Sequence, residues 1–267
     1  MEHFEGKVAV ITGGARGIGL GIARAFAAEG MRVLLGDIDA ATVEAAADEL
    51  RQGGAQAHGV AVDVRDAESV EALVAASQEH FGGADVVVNN AGVYLGGPMS
   101  GLTFDDWRFV LDVNLDGMFR VGQRFAQLLR EQGRGGHVVN TASIGGFLSH
   151  GEGVAYAVSK YGVVAYSEAL RGELEPHGIG VSTLCPGPID TELPASDRLR
   201  SASDQSGAVS EALAPFIRDG MKPDDVGPIV VRGIRKNLAY IFTHDDMREL
   251  FATRFQNVLN AMDEISG

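Results

Sequence analysis

Short apolar runs and helically spaced apolar positions alternate along nearly the whole of this chain. Residues 7–12 (KVAVIT) form a β-branched apolar run of strand length that stops at a glycine cluster, Gly13, Gly14, Gly17 and Gly19. Over residues 18–29 the apolar positions recur at helical spacing. Gly30 follows as a terminator able to take the left-handed conformation. The rhythm repeats with a strand at 32–37 (RVLLGD), an Ala-rich helix at 40–52, a strand at 56–64, a helix at 67–81 and a strand at 85–89. Strands that are apolar throughout and alternate with helices predict an α/β protein whose parallel sheet is covered on both faces. A barrel of the same units needs eight repeats, and the chain has no room for them.

Further helices are expected at 104–111 and 117–130, a strand at 137–141, a long helix at 155–175 and a strand at 180–185. Residues 187–222 then turn irregular and rich in Ser, Asp and Pro, which reads as a surface excursion of the kind that forms substrate lids. A helix at 224–235, a strand at 239–243 and an amphipathic helix at 245–261 close the chain. No linker divides residues 1–267, so a single domain with 187–222 as its lid is expected.

Composition narrows the class. Of 267 residues, 45% are hydrophobic and 22% charged, enough apolar surface for a sizeable core. A formal charge of -14 argues against nucleic acid or an anionic membrane as partner, since both require clustered cations. The single cysteine, Cys185, has no internal disulfide partner, the start reads as a strand rather than a signal peptide, and no apolar run is long enough to span a bilayer. A soluble, cytoplasmic protein is expected. The seven histidines have no metal-ligand spacing, so no metal site is expected.

The first turn, TGGARGIG at residues 12–19, joins a strand to a helix start, where unpaired N–H groups and the helix dipole favour a pyrophosphate and glycines let it approach. A turn with no ligand is the plain alternative. Asp37, ending the second strand, is placed to accept hydrogen bonds from the adenosine ribose of NAD and to repel the extra phosphate of NADP. Arg16 pulls the other way, as a guanidinium able to meet that phosphate or as a solvated loop charge. Asp63 either contacts the adenine or caps the following helix.

The sharpest signal is YAVSK, residues 156–160, with Ser143 before it. Helical positions four apart share a face, so the Lys160 ammonium is expected beside the Tyr156 phenol, where a cation stabilises the phenolate and lowers its pKa from about 10. Tyr156 would then exchange a proton with a substrate hydroxyl or carbonyl, and Ser143 would hydrogen-bond the same oxygen.

Together with NNAG at residues 89–92, Asn114, and PGPIDT at residues 186–191, these motifs resemble the classical short-chain dehydrogenases/reductases in order and approximate spacing. The resemblance spans nearly the whole chain. It implies a doubly wound Rossmann sheet of about seven parallel strands binding a nicotinamide dinucleotide, with NAD favoured and NADP the alternative. Ser143 would polarise the carbonyl, Tyr156 act as acid or base, Lys160 hold the nicotinamide ribose, and Asn114 anchor a proton-relaying water. Gly13, Arg16, Gly17, Ile18 and Gly19 would line the cofactor at the turn, as would Asn90, Ala91 and Gly92. The resemblance gives Ile189 and Thr191 the nicotinamide carboxamide. Asp63, Val64, Pro186 and Gly187 complete the cofactor set. Turn chemistry at the strand end is a compatible role for Asn89 and Asn90.

Tyr94, Leu95, Phe147, Leu148 and Leu193 fall in loops that the family places around its substrate, suggesting an apolar pocket. His150 lies between Ser143 and Tyr156 and faces either substrate or solvent, and Cys185 reads as a small core residue. The last third weakly resembles members that oxidise bulky hydrophobic secondary alcohols. The leading expectation is therefore an NAD-dependent alcohol dehydrogenase or ketone reductase acting on a small-molecule, apolar substrate. An NADPH-dependent 3-oxoacyl thioester reductase is the nearest rival, and a nucleotide-sensing protein without turnover the rival from another class. The family's assembly implies a homo-oligomer, a tetramer or a dimer, joined through the helices at 117–130 and 155–175, with Val163, Ala165 and Leu170 as compatible apolar positions.

Overall fold

The computed structural model describes residues 1–149, 151–200 and 217–265. His150 and the centre of the expected lid lie outside the described residues. Seven strands form one parallel sheet in the order β3-β2-β1-β4-β5-β6-β7. In chain order they are β1 (Val8–Thr12), β2 (Arg32–Asp37), β3 (Ala57–Ala61), β4 (Val86–Asn89), β5 (Gly136–Thr141), β6 (Ile179–Cys185) and β7 (Tyr240–Phe242). The helices are α1 (Gly17–Ala28), α2 (Ala40–Gln52), α3 (Ala67–Phe81), α4 (Phe104–Leu111), α5 (Met118–Gln132), α6 (Val154–Leu174), α7 (Pro223–Arg235) and α8 (Arg248–Asp263).

The two-residue period of the strands sorts their side chains between two cores. Ala9, Ile11, Val86, Val88 and Val139 face Ile22 and Phe26 of α1 and Val226 and Val230 of α7. Their neighbours Val8, Val10, Val87 and Val138 face Leu73 of α3, Phe125 of α5 and Leu170 of α6. A strand buried on both faces has no polar position, which is why the sequence shows continuous apolar runs. Because the order reverses between β1 and β4, the strand ends there open a crevice at the carboxyl edge of the sheet.

Four expectations need correction. The third strand ends at Ala61 rather than at 64, because it is an edge strand paired only with β2 and because local side chains then take its amides. The Asp63 amide donates to Ser69 Oγ at 2.9 Å, and Asp66 caps α3. The helices at 104–111 and 117–130 are one continuous run through a π-helical segment, Asp112–Gly117. The closing amphipathic helix, α8, has no buried residue: Phe255, Val258, Leu259 and Met262 are exposed. On α6, Val163 and Leu170 point into the chain's own core, and the exposed apolar positions of α5 and α6 are Phe119, Val158, Ala165 and Ala169. Among the described residues, no helix is long and apolar enough to cross a membrane, and no cluster of His, Cys, Asp and Glu suits a metal ion.

Candidate active site

The turn between β1 and α1 is held open by glycine geometry. Gly13 and Gly17 have φ of +61° and +52°, a region costly for other residues. A Cβ on Gly13 would stand 2.9 Å from the Ala91 Cα, and one on Gly19 would collide with the Gly13 carbonyl oxygen. The turn is fastened to the segment after β4: Thr12 Oγ1 accepts from the amides of Asn90 and Ala91 at 3.0 and 3.2 Å, and Asn90 Nδ2 donates to the carbonyls of Thr12 and Gly13. Helices α2, α3 and α4 begin with side-chain caps from Asp39, Asp66 and Thr103. Helix α1, like α5 to α8, begins without one, and here the uncapped start at Arg16 coincides with the glycine turn. Its first-turn amides and dipole thus face a glycine cradle, the donor set that a pyrophosphate requires.

This turn forms one end of a cavity of about 490 Å³. Gly13, Arg16, Gly17, Ile18 and Asp37 line it, as do Asn90, Ala91 and Gly92, and Ser143, Tyr156 and Lys160. Pro186, Gly187, Ile189 and Thr191 line it from the segment after β6. Gly19 instead sits inside α1, packed on Gly13. Asp63 and Val64 line a smaller adjoining cavity shared with Asp37, Ile38 and Gly92. Asp63 is ion-paired with Arg65 at 2.7 Å, and the cap of α3 is Asp66, so the capping role considered for Asp63 does not hold. Burial raises the Asp63 carboxyl and its bonds to Arg65 lower it, the net direction being down. The Asp37 carboxylate accepts from the amides of Ala15 and Asp39, both at 3.2 Å, and so stays fixed at the cavity wall.

Tyr156 and Lys160 do share a face of α6. The Lys160 Nζ lies 5.6 Å from the Tyr156 ring centroid and donates to the Thr141 carbonyl at 2.9 Å. Ser143 follows β5, its Oγ accepting from the Gly145 amide at 3.0 Å. The charge balance differs from expectation. Burial pushes the Tyr156 phenol up to about 12, opposed by its hydrogen bond with Ser143, and burial pulls Lys160 down to about 8. On balance desolvation wins, and the phenol stands above its ordinary value despite the cation on the next helical turn.

Asn114 is fully buried in the π-helical segment and does not line the cavity. Its Oδ1 accepts from the Val93 amide at 2.8 Å, and its Nδ2 donates to the Val93 carbonyl and to Ser159 Oγ. The side chain thus positions the Asn90–Val93 loop rather than reaching into the site. Asn89 serves the strand end, donating to Asn140 Oδ1 at 2.8 Å.

Away from the glycine turn the cavity is walled by Tyr94, Leu148, Leu193, Leu199, Met247 and Leu250. The Tyr94 ring stands edge-on to Tyr156 at 5.0 Å. Leu95 belongs instead to the core, and Phe147 packs with Tyr240, Phe242 and Phe251 in an aromatic cluster. Leu199 falls in the expected lid, whereas Met247 and Leu250, from the start of α8, were not singled out by sequence reasoning. The hints were the helical apolar spacing of the last segment and the weak resemblance of the last third to members that act on bulky alcohols. Cys185 is a buried core residue, its thiol pushed up to about 12 by burial.

Comparison with known proteins agrees with this geometry. The short chain dehydrogenase family model matches residues 7–201. A C alpha-dehydrogenase from Sphingobium sp. is 32% identical over 98% of this chain and 88% of its own length. A 1-deoxy-11-beta-hydroxypentalenate dehydrogenase from Streptomyces exfoliatus is 33% identical over 96% of this chain and 90% of its own length. The crystal structure of a short-chain dehydrogenase/reductase from Burkholderia phymatum, in complex with NAD, superposes with a TM-score of 0.93 at 33% identity, covering 98% of this chain and 97% of that one. With a parallel sheet, an uncapped glycine-turn helix and a cavity at the strand ends, the chain belongs to the short-chain dehydrogenase/reductase family and is a nicotinamide-dependent oxidoreductase acting on CH–OH groups.

Proposed function

We propose that this enzyme interconverts a bulky apolar secondary alcohol and its ketone with NAD, using Ser143, Tyr156 and Lys160. The observation that carries the reading is the placing of these three residues on one wall of a cavity that is continuous with the glycine turn and Asp37 at one end and apolar at the other. A bound nicotinamide supplies or accepts the hydride. Gly13, Gly17, Ile18 and the α1 amides would hold its pyrophosphate, Asp37 its adenosine ribose, and Asp63 and Val64 its adenine. Ile189 and Thr191 would take the carboxamide. Carboxylates at the adenosine end, Asp37 and Asp39, support NAD over NADP.

Ser143 Oγ donates to the substrate oxygen and holds it against Tyr156. With its pKa raised to about 12, the Tyr156 phenol carries its proton at neutral pH. It is therefore ready to protonate a carbonyl oxygen as carbon gains the hydride, and for the reverse reaction it must first lose that proton. Lys160, bonded to Thr141, fixes the ring from beneath. Below the phenol pKa the base form grows about tenfold per pH unit, so alcohol oxidation should rise from neutral to mildly alkaline pH and ketone reduction should not.

The test is an absorbance assay at the reduced-nicotinamide band, with both cofactors and a panel of hydrophobic secondary alcohols and ketones. Turnover with NAD should fall about a thousandfold in Tyr156→Phe, within the range for general acid–base groups. Full turnover in that variant would defeat the catalytic assignment. Bound cofactor with no hydride transfer across the panel would favour a nucleotide sensor. The proposal includes a cytoplasmic homo-oligomer joined through α5 and α6, where Phe119 and Val158 are exposed. A solution mass of one chain would remove that part.

A further inference from the structure

The sequence sets two charges against each other at the adenosine end of the cavity. Asp37 favours NAD, while Arg16 offers a cation to the extra phosphate of NADP. The structure resolves the conflict through a third residue, and the inference rests on the nicotinamide reading above.

The Arg16 guanidinium is already held. Its Nη2 lies 2.9 Å from Asp39 Oδ2 and donates to Thr42 Oγ1 at 2.6 Å, and its Nη1 lies 3.8 Å from Glu192 Oε2. Asp39 is no loose surface carboxylate. As the N-cap of α2 it accepts the Thr42 amide at 3.1 Å, and the Thr42 hydroxyl donates to it at 2.7 Å. The three residues therefore form a closed set whose geometry is dictated by the first turn of α2. The Thr42 hydroxyl and amide, and then Arg16, hold the Asp39 carboxyl below its usual range, so it is ionised at neutral pH. Arg16, Asp37, Asp39, Glu192 and Arg198 all line the same cavity, and their three carboxylates against two guanidinium groups leave one net negative charge there. An incoming phosphate monoester would meet like charge and a cation whose Nη2 is already bonded to Asp39 and Thr42.

We propose that Asp39 is a second cofactor-specificity residue: by pairing with Arg16 it withholds the glycine turn's cation from a 2′-phosphate, so that NAD is selected by Asp37 and Asp39 together.

The substitution that isolates this is Asp39→Asn, since asparagine caps a helix as well as aspartate and α2 keeps its start. Dissociation constants for NAD and NADP, measured on the full chain by calorimetry without substrate, give the readout. In Asp39→Asn the ratio of the NADP constant to the NAD constant should fall about tenfold, as expected for release of one partly exposed ion pair and loss of one like charge. The double variant Asp39→Asn/Arg16→Gln should recover most of the wild-type ratio, because the freed cation is gone. Asp39→Ser, another good cap, should reproduce the single variant. An unchanged ratio in Asp39→Asn, or a fall that persists in full in the double variant, overturns the inference and leaves the NAD reading standing. A wild-type chain that binds NADP more tightly than NAD overturns both.

Discussion

The two ends of the cavity are built from different materials. At the cofactor end the wall is backbone: strand termini, a turn with two glycines at positive φ, and carbonyls bridged by Asn90. At the substrate end it is side chain: Leu193 and Leu199 from the segment after β6, Met247 and Leu250 from the beginning of a helix with no fully buried residue. Backbone cannot be trimmed without breaking the sheet that supplies it. Side chains can be exchanged one methylene at a time. Substitutions within the glycine turn should therefore act as all or nothing, and those of the apolar side chains at the second end by degrees, and that contrast is open to test.

After the loss expected for Tyr156→Phe, the largest effect belongs to Gly13→Val. A β-branched residue at φ +61° is strained, and its Cβ would stand 2.9 Å from the Ala91 Cα. Relieving the contact moves the turn away from Asn90 and Ala91, so cofactor affinity should drop by at least about a hundredfold, roughly 2.7 kcal/mol. Calorimetric titration measures it. A drop of less than tenfold would mean that the cradle is more pliable than its packing implies, and the contrast between the two ends would weaken.

Truncation at the other end should be gentler. Met247→Ala should lower kcat/KM for a long apolar alcohol about five- to tenfold, the worth of a few methylenes of contact. Leu250→Ala should do less, because this leucine is 57% exposed. Cofactor affinity should stay put in both, and a short alcohol should be nearly indifferent. If cofactor affinity fell in step with turnover, α8 would be supporting the whole cavity and not just its apolar end.

The same division explains what the sequence made legible. Strand β2 and helices α2 and α3 occur at their expected bounds because each is punctuated locally: Asp39 and Asp66 cap the helices, and Gly82 ends α3 in the left-handed conformation. The glycine turn and the Tyr156–Lys160 spacing are likewise local, so the cofactor end could be read residue by residue. Met247 and Leu250 reach the cavity only through tertiary packing, which leaves no short-range signature, while Leu199 was covered only by the coarse expectation of a lid. Phe147 shows the converse. An apolar loop residue declares that it needs a partner without saying which, and here the partners are Phe242 and Phe251. Helical spacing also placed a cation beside the Tyr156 phenol yet could not foresee the burial that raises its pKa.

The smallest expected effect concerns the tie between the two ends. Glu192 accepts from Arg198 Nη2 at 2.7 Å and lies 3.8 Å from Arg16 Nη1, so a chain of charges crosses from the glycine turn to the segment that carries Leu193 and Leu199. The Glu192 side chain is 63% exposed, and pairs of that kind contribute about 0–1 kcal/mol because water and salt screen them. A strong tie here would slow the exchange of cofactor and substrate. A weak one orders the segment while letting it part at each turnover. Glu192→Gln should thus speed cofactor release by no more than about threefold in stopped-flow fluorescence, and raised salt should produce the same change in the unaltered chain. Release quickened tenfold or more, or unmoved by salt, would show that the segment is fastened elsewhere, with the buried Arg200–Asp106 pair the first place to look.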